Sequence, residues 1–130
     1  MKKILFVLAF MGCLFLPNLG RAQCMGQMEV ENSLNCPIQV TLVLSGAMCS
    51  NIVINLSANG GYQCETIPPG CTVTSVQVYD ATGGGTAVWN VTGGCISGYG
   101  MQTGGDICGL SIISGTGCIG PNNILQILND

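Results

Sequence analysis

Positive charge is almost missing from this chain. Its only cations are Lys2, Lys3 and Arg21, and it has no histidine. All three cations fall in an export-type leader. Lys2 and Lys3 precede an apolar run over residues 4–16, too short to span a bilayer comfortably. Pro17 breaks that run, and Gly20 and Ala22 put small residues three and one before a cleavage point. The sequence therefore predicts a signal peptide over residues 1–22 and a single mature domain over residues 23–130. Phe10, three residues before Cys13, is a poor lipobox residue and argues against a lipoprotein anchored at Cys13.

Without its leader the chain has no Lys, Arg or His and keeps Glu29, Glu31, Glu65, Asp80, Asp106 and Asp130. Function classes fall with the cations. Nucleic-acid binding needs Lys or Arg against phosphate, and so does docking on anionic membranes. A histidine base, a lysine Schiff base and a Ser-His-Asp triad all lack their residues. No cofactor is implied. Helix formers are scarce as well, and after the leader the only aromatics are Tyr62, Tyr79, Trp89 and Tyr99. The core is expected to be aliphatic, with Trp89 its largest member.

Cysteine is what the chain has in quantity. Beyond Cys13 there are Cys24, Cys36, Cys49, Cys64, Cys71, Cys95, Cys108 and Cys118. An even set behind a signal peptide reads as a disulfide framework in an oxidising, extracellular or periplasmic compartment. The pairing is not legible in the sequence. The short loop from Cys64 to Cys71, around Pro68-Pro69-Gly70, makes that pair the first expectation. Zinc is disfavoured, because no C-x-x-C spacing and no histidine partner occur.

Alternation of apolar and polar residues marks the strands. Met28 and Val30 alternate with Glu29 and Glu31, so the two acids are expected on a wet face. Asn32 to Asn35 is turn chemistry. Ile38, Val40, Leu42 and Leu44 then line one face of the strongest strand, and the two segments together read as an opening hairpin. Ile52, Ile54 and Leu56 make a third strand. Thr72–Asp80 follows with Val76 and Val78 on one face, and then residues 86–91 with Ala87, Trp89 and Val91 inward. Thr-Gly-Gly recurs at Thr82, Thr92 and Thr103, the pitch of one strand plus one turn. Residues 107–113 read as a strand with Cys108, Leu110 and Ile112 on one side. Residues 123–129 fit a strand or a short helix, with strand preferred. The expected fold is all-β: a disulfide-stapled two-sheet β-sandwich with an immunoglobulin-like outline.

Several motifs carry possible chemistry. Gly115-x-Gly117-x-x-Gly120 matches a dinucleotide fingerprint, but no second strand or acidic ribose ligand follows within the βαβ length such a site needs. Asp80 and Asp106 are the acids best placed for calcium, yet both are typical turn acids. Trp89, Tyr99 and Tyr62 are candidates for a sugar-stacking platform, although a lone strand Trp in a small sandwich is more often core. Asn55-Leu56-Ser57 and Asn90-Val91-Thr92 are glycosylation sequons that matter only in a eukaryotic host.

The leader, ending Arg21-Ala22-Gln23-Cys24, resembles those of proteins secreted by Bacteroidota-type bacteria. The pattern Val30-x-Asn32, Asn35-Cys36-Pro37-Ile38 and Ile67-Pro68-Pro69-Gly70 resembles small cysteine-rich β-sandwich proteins exported by such bacteria. It is also similar to the start of thaumatin-like domains, whose basic residues this chain lacks. The resemblance covers residues 28–80, implies a secreted β-sandwich and carries over no functional residue. Residues and resemblance lead to one expectation: a secreted or cell-surface non-catalytic module, adhesive, binding or envelope-structural, with a glycan or protein partner and no enzyme activity. The alternatives are a self-assembling extracellular subunit, a carbohydrate-binding module and, last, a hydrolase working with carboxylates alone.

Overall fold

The computed structural model describes residues 24–129. The signal peptide over residues 1–22 and Cys13 lie outside the described residues. Ten strands and no helix make up the described chain: β1 (Met28–Asn32), β2 (Ile38–Ser45), β3 (Ile52–Leu56), β4 (Gly61–Glu65), β5 (Thr72–Asp80), β6 (Thr86–Asn90), β7 (Cys95–Tyr99), β8 (Met101–Thr103), β9 (Ile113–Cys118) and β10 (Ile124–Asn129). They form two five-stranded sheets. Sheet A has the order β4-β1-β10-β9-β7, and sheet B the order β3-β2-β5-β6-β8. The disulfide-stapled two-sheet β-sandwich expected from the sequence is the observed fold.

Sheet B follows the sequence pattern closely. Ile38, Val40, Leu42, Ile54, Leu56, Val76, Val78, Ala87 and Trp89 are buried on its inner face. The alternation shifts once, where Val43 pairs Ser75 but Leu44 pairs Val73. The extra residue, Thr74, lets Val73 and Val76 both point inward although they are three apart, as a β-bulge does. Each fully buried aliphatic chain contributes roughly 1.5–3 kcal/mol. Trp89 lies in a slot cut by glycines: a Cβ on Gly100 would sit 2.7 Å from its Cζ2, and one on Gly115 3.0 Å from its Cε2. Its indole Nε1 donates to Gly98 O at 2.9 Å, so the one polar atom of the ring is satisfied.

Three expectations about strands are corrected. The first concerns the opening hairpin. β1 belongs to sheet A and β2 to sheet B, so residues 33–37 arch from one sheet to the other. Asn32 holds the arch from inside the core. Its Nδ2 donates to Cys36 O and Ser57 O, and its Oδ1 accepts from Leu34 N, each at 2.9 Å.

The second concerns Glu29 and Glu31, which are buried, not wet, at 6 % and 4 % exposure. β1 is an interior strand, with β4 antiparallel on one side and β10 parallel on the other. Side chains from both neighbours cover its outer face. The third is residues 107–113. Residues 107–110 form a tight turn, closed by hydrogen bonds between Ile107 and Leu110 in both directions, and the strand begins only at Ile113 as β9. Cys108 and Gly109 have φ of 56° and 73°, left-handed values that end any extended run. Ile107 and Ile113 are buried, while Ile112 is exposed.

Residues 123–129 resolve to strand, as preferred from the sequence. Leu125 and Ile127 face the core.

Candidate functional site

The four disulfides are Cys24–Cys64, Cys36–Cys108, Cys49–Cys71 and Cys95–Cys118. The expected Cys64–Cys71 pair is therefore wrong. Cys64 sits on β4 in sheet A, and Cys71 leads into β5 in sheet B. The intervening Pro68–Cys71 turn, closed by Cys71 N donating to Pro68 O, carries the chain between sheets and separates the two sulfurs. Four bridges are the mark of an oxidising extracellular or periplasmic location. No helix of the described residues is long and apolar enough to cross a membrane.

The three aromatic candidates do not meet. Trp89 is buried in the core. Tyr62 and Tyr99, 44 % and 65 % exposed, stand on β4 and β7, the opposite edge strands of sheet A. Strand register nevertheless puts both on one face. Tyr62 pairs Glu31, Glu31 pairs Gln126, Gln126 pairs Thr116 and Thr116 pairs Ser97. Tyr99 lies two residues beyond Ser97 and opposite Ser114. The inner face alternates with this row through Val30, Leu125 and Ile96, all buried. The outer face of sheet A is thus a polar band with a tyrosine near each end. In its middle, Gln126 Nε2 donates to Glu31 Oε2 at 3.0 Å.

The acids proposed for calcium have structural roles. Asp80 Oδ1 accepts from Thr82 N at 2.7 Å and from the Thr82 hydroxyl, while Oδ2 accepts from Cys108 N at 2.9 Å. The Thr82 hydroxyl first, and then the Cys108 N–H, hold the Asp80 carboxyl below its usual value. Asp106 is exposed, and its carbonyl accepts from Gly85 N at 2.8 Å. Cys36, Asp80 and Cys108 bring ligand-type atoms within 4.8 Å of one another. The two sulfurs are bonded to each other, so neither is the thiolate a metal would need.

The Gly115-x-Gly117-x-x-Gly120 run lies in and just after β9, and its first two glycines serve close packing. Gly115 faces Trp89 and Ile96, and Gly117 backs onto the β10 main chain at Ile124 and Leu125.

One concavity escaped the sequence altogether. Glu29 lies beneath the turn that opens the described chain, in a small open pocket lined by Cys24, Gln27, Glu29, Asn122, Asn123 and Ile124. Those residues come from opposite ends of the sequence. Only the parallel pairing of β1 with β10 brings them together, and no local pattern announces it.

No protein-family model, curated protein or solved structure matches the chain.

Proposed function

We propose that this protein is a secreted or cell-surface, non-catalytic binding module that engages its ligand through the outer face of sheet A. The observation that carries the reading is the placement of Tyr62 and Tyr99, both exposed, at opposite edges of one polar face. Between them run Gln126, Thr116 and Ser97. Tyrosine rings, hydroxyls and amides on a flat, rigid sheet suit a surface glycan. Sugars offer C–H faces to aromatic rings and hydroxyls to short polar side chains. The disulfides support the same reading: Cys95–Cys118 ties β7 to β9 in the sheet that displays the face, and Cys24–Cys64 anchors the opening turn to β4 of that sheet.

The test is binding of the mature protein to a panel of immobilised bacterial polysaccharides. In the double variant Tyr62→Ala/Tyr99→Ala, affinity is expected to fall by about tenfold or more, with the melting temperature unchanged. Undiminished binding removes the face from the proposal. Turnover of any substrate that is lost on substituting a carboxylate overturns the non-catalytic reading.

A second reading, a self-assembling extracellular subunit, is favoured by the edges. The four edge strands β3, β4, β7 and β8 contain no Lys, Arg or Pro, the residues that usually block edge-to-edge pairing.

A further inference from the structure

Glu29 has no hydrogen-bond donor and no cationic partner among the described residues. Its side chain is almost wholly buried, with an exposure of 6 %. The nearest polar-type contact is Cys24 Sγ, 3.9 Å from Oε2. That sulfur is bonded to Cys64, carries no S–H and cannot donate. Among the described residues no N–H or O–H donates to this carboxylate, and none is a Lys, Arg or His. A carboxylate recessed this far, with no donor and no counter-charge from the chain, is left to find its partner through the pocket that it lines. Glu31, two residues on, differs in having Gln126 as a donor.

The pocket is built, not incidental. The turn over Glu29 is closed by Gln27 N donating to Cys24 O at 3.0 Å. Gly26 N donates to Asn122 Oδ1, and Asn122 N to Gln27 O, each at 2.9 Å. Asn122 takes a left-handed φ of 62° to make that clasp. Gln27 Nε2 donates to Thr66 Oγ1 at 3.0 Å, which leaves its Oε1 as an acceptor. The lining therefore offers one carboxylate, neutral side-chain amides and an apolar wall from Ile124 and the Cys24–Cys64 bridge.

We propose that this pocket is a binding site for a primary alkylammonium group, with Glu29 as its counter-charge. An ammonium donates three hydrogen bonds and accepts none, which suits Glu29 together with the oxygens of the side-chain amides that line the same pocket. The carbon next to the nitrogen packs on Ile124 and the disulfide. Calcium fits less well, since it takes six to eight oxygens and a higher carboxylate count. Two sources supply the same chemistry. One is the chain's own α-amino group, created one residue before Cys24 if the leader is removed after Ala22. The other is a lysine or amine of a partner. The proposal does not depend on the sheet-face reading, because its test leaves Tyr62 and Tyr99 untouched.

The experiment follows the Glu29 side-chain carboxyl carbon by 13C NMR, assigned by its loss in Glu29→Gln. The mature chain beginning at Gln23 is compared with the same chain N-acetylated. Methylammonium chloride is the probe, with tetramethylammonium chloride and calcium chloride at matched ionic strength. In the acetylated form methylammonium is expected to give a saturable one-to-one shift that tetramethylammonium does not. If the chain's own amine is the resident, the free-amine form resists the probe while the acetylated form binds it. If the ligand is foreign, both forms bind the probe alike. The proposal is overturned if neither form gives a saturable shift, if tetramethylammonium acts equally, or if calcium saturates where methylammonium does not. Should Glu29→Gln not fold, the melting temperature of the unsubstituted acetylated chain tests the same site. A rise with methylammonium that tetramethylammonium does not reproduce supports the proposal, and the lack of such a rise overturns it.

Discussion

Asp80 links two loops through one carboxylate. Its oxygens hold the Thr82 turn on one side and the Cys108 main chain on the other. Because these donors bind the charged form, its folded pKa lies below the usual aspartate value. A depressed carboxyl contributes stability that is fully present above the unfolded value and is lost as pH falls through the folded one. The wild-type melting temperature is thus expected to exceed that of Asp80→Asn at pH 6, with the gap closing as pH drops below about 4. A gap independent of pH would mean that the carboxylate charge is not what ties the loops.

The glycines around Trp89 make a second residue-scale prediction. Neither Gly100 nor Gly115 needs a left-handed φ, so alanine there is opposed by volume alone. Overpacking of this kind costs about 1–3 kcal/mol. Gly115→Ala should lower the denaturant midpoint accordingly, with an unchanged slope. Gly93→Ala is a useful contrast: a Cβ there meets nothing within 4 Å, but φ is +60°, so its cost is conformational and not steric.

At the scale of elements, the legible strands were those whose partners leave one face dry and one wet. β2, β3, β5 and β6 alternate, with one shift at the β5 bulge, because they are hydrogen-bonded into one antiparallel sheet with a single core face. β1 alternates just as cleanly, yet its polar side is covered. The covering residues come from β10, 95 positions away, and from β4. Local alternation states which side chains share a face, not whether that face meets water. The same limit hid the Glu29 pocket and the Cys24–Cys64 bridge beside it. In residues 107–113 the apolar spacing was real but the backbone could not follow it, because Cys108 and Gly109 turn left-handed.

Disulfide pairing is non-local in the same sense. Cys36–Cys108 joins the arch after β1 to the turn before β9 across a separation of 72 residues, whereas Cys49–Cys71 spans 22. Chain-entropy arithmetic gives about 4 kcal/mol for the longer loop and about 3 kcal/mol for the shorter. The paired variant Cys36→Ala/Cys108→Ala is expected to lose more stability than Cys49→Ala/Cys71→Ala, measured by urea denaturation at neutral pH. The Asp80–Cys108 contact widens the difference, since freeing Cys108 also loosens the donor that Asp80 uses. Equal losses would show that the bridges act on the folded state and not on the unfolded chain.

For the whole molecule, charge and edges oppose each other. Past residue 22 every charged side chain is acidic, so copies repel at long range, and the repulsion is screened over about 10 Å at 0.1 M salt and about 3 Å at 1 M. The edges pull the other way. Sheet A ends in β4 and β7, and sheet B in β3 and β8; each leaves a row of main-chain groups without a strand partner on its outer side. Close to β7, the exposed side chains of Met101 and Ile112 add apolar surface. Association is therefore expected to rise with ionic strength, the reverse of what a salt-bridged interface would do. Sedimentation velocity should show a monomer in 20 mM salt and a concentration-dependent shift to larger species in 1 M salt. Ser97→Lys places a cation on β7, where it guards the edge as lysines do in other sheets. That variant should stay monomeric in 1 M salt if β7 is the pairing edge. If it associates as the wild type does, the contact uses another edge; if the wild type itself stays monomeric throughout, the self-assembling reading fails and the sheet-face binding module stands alone.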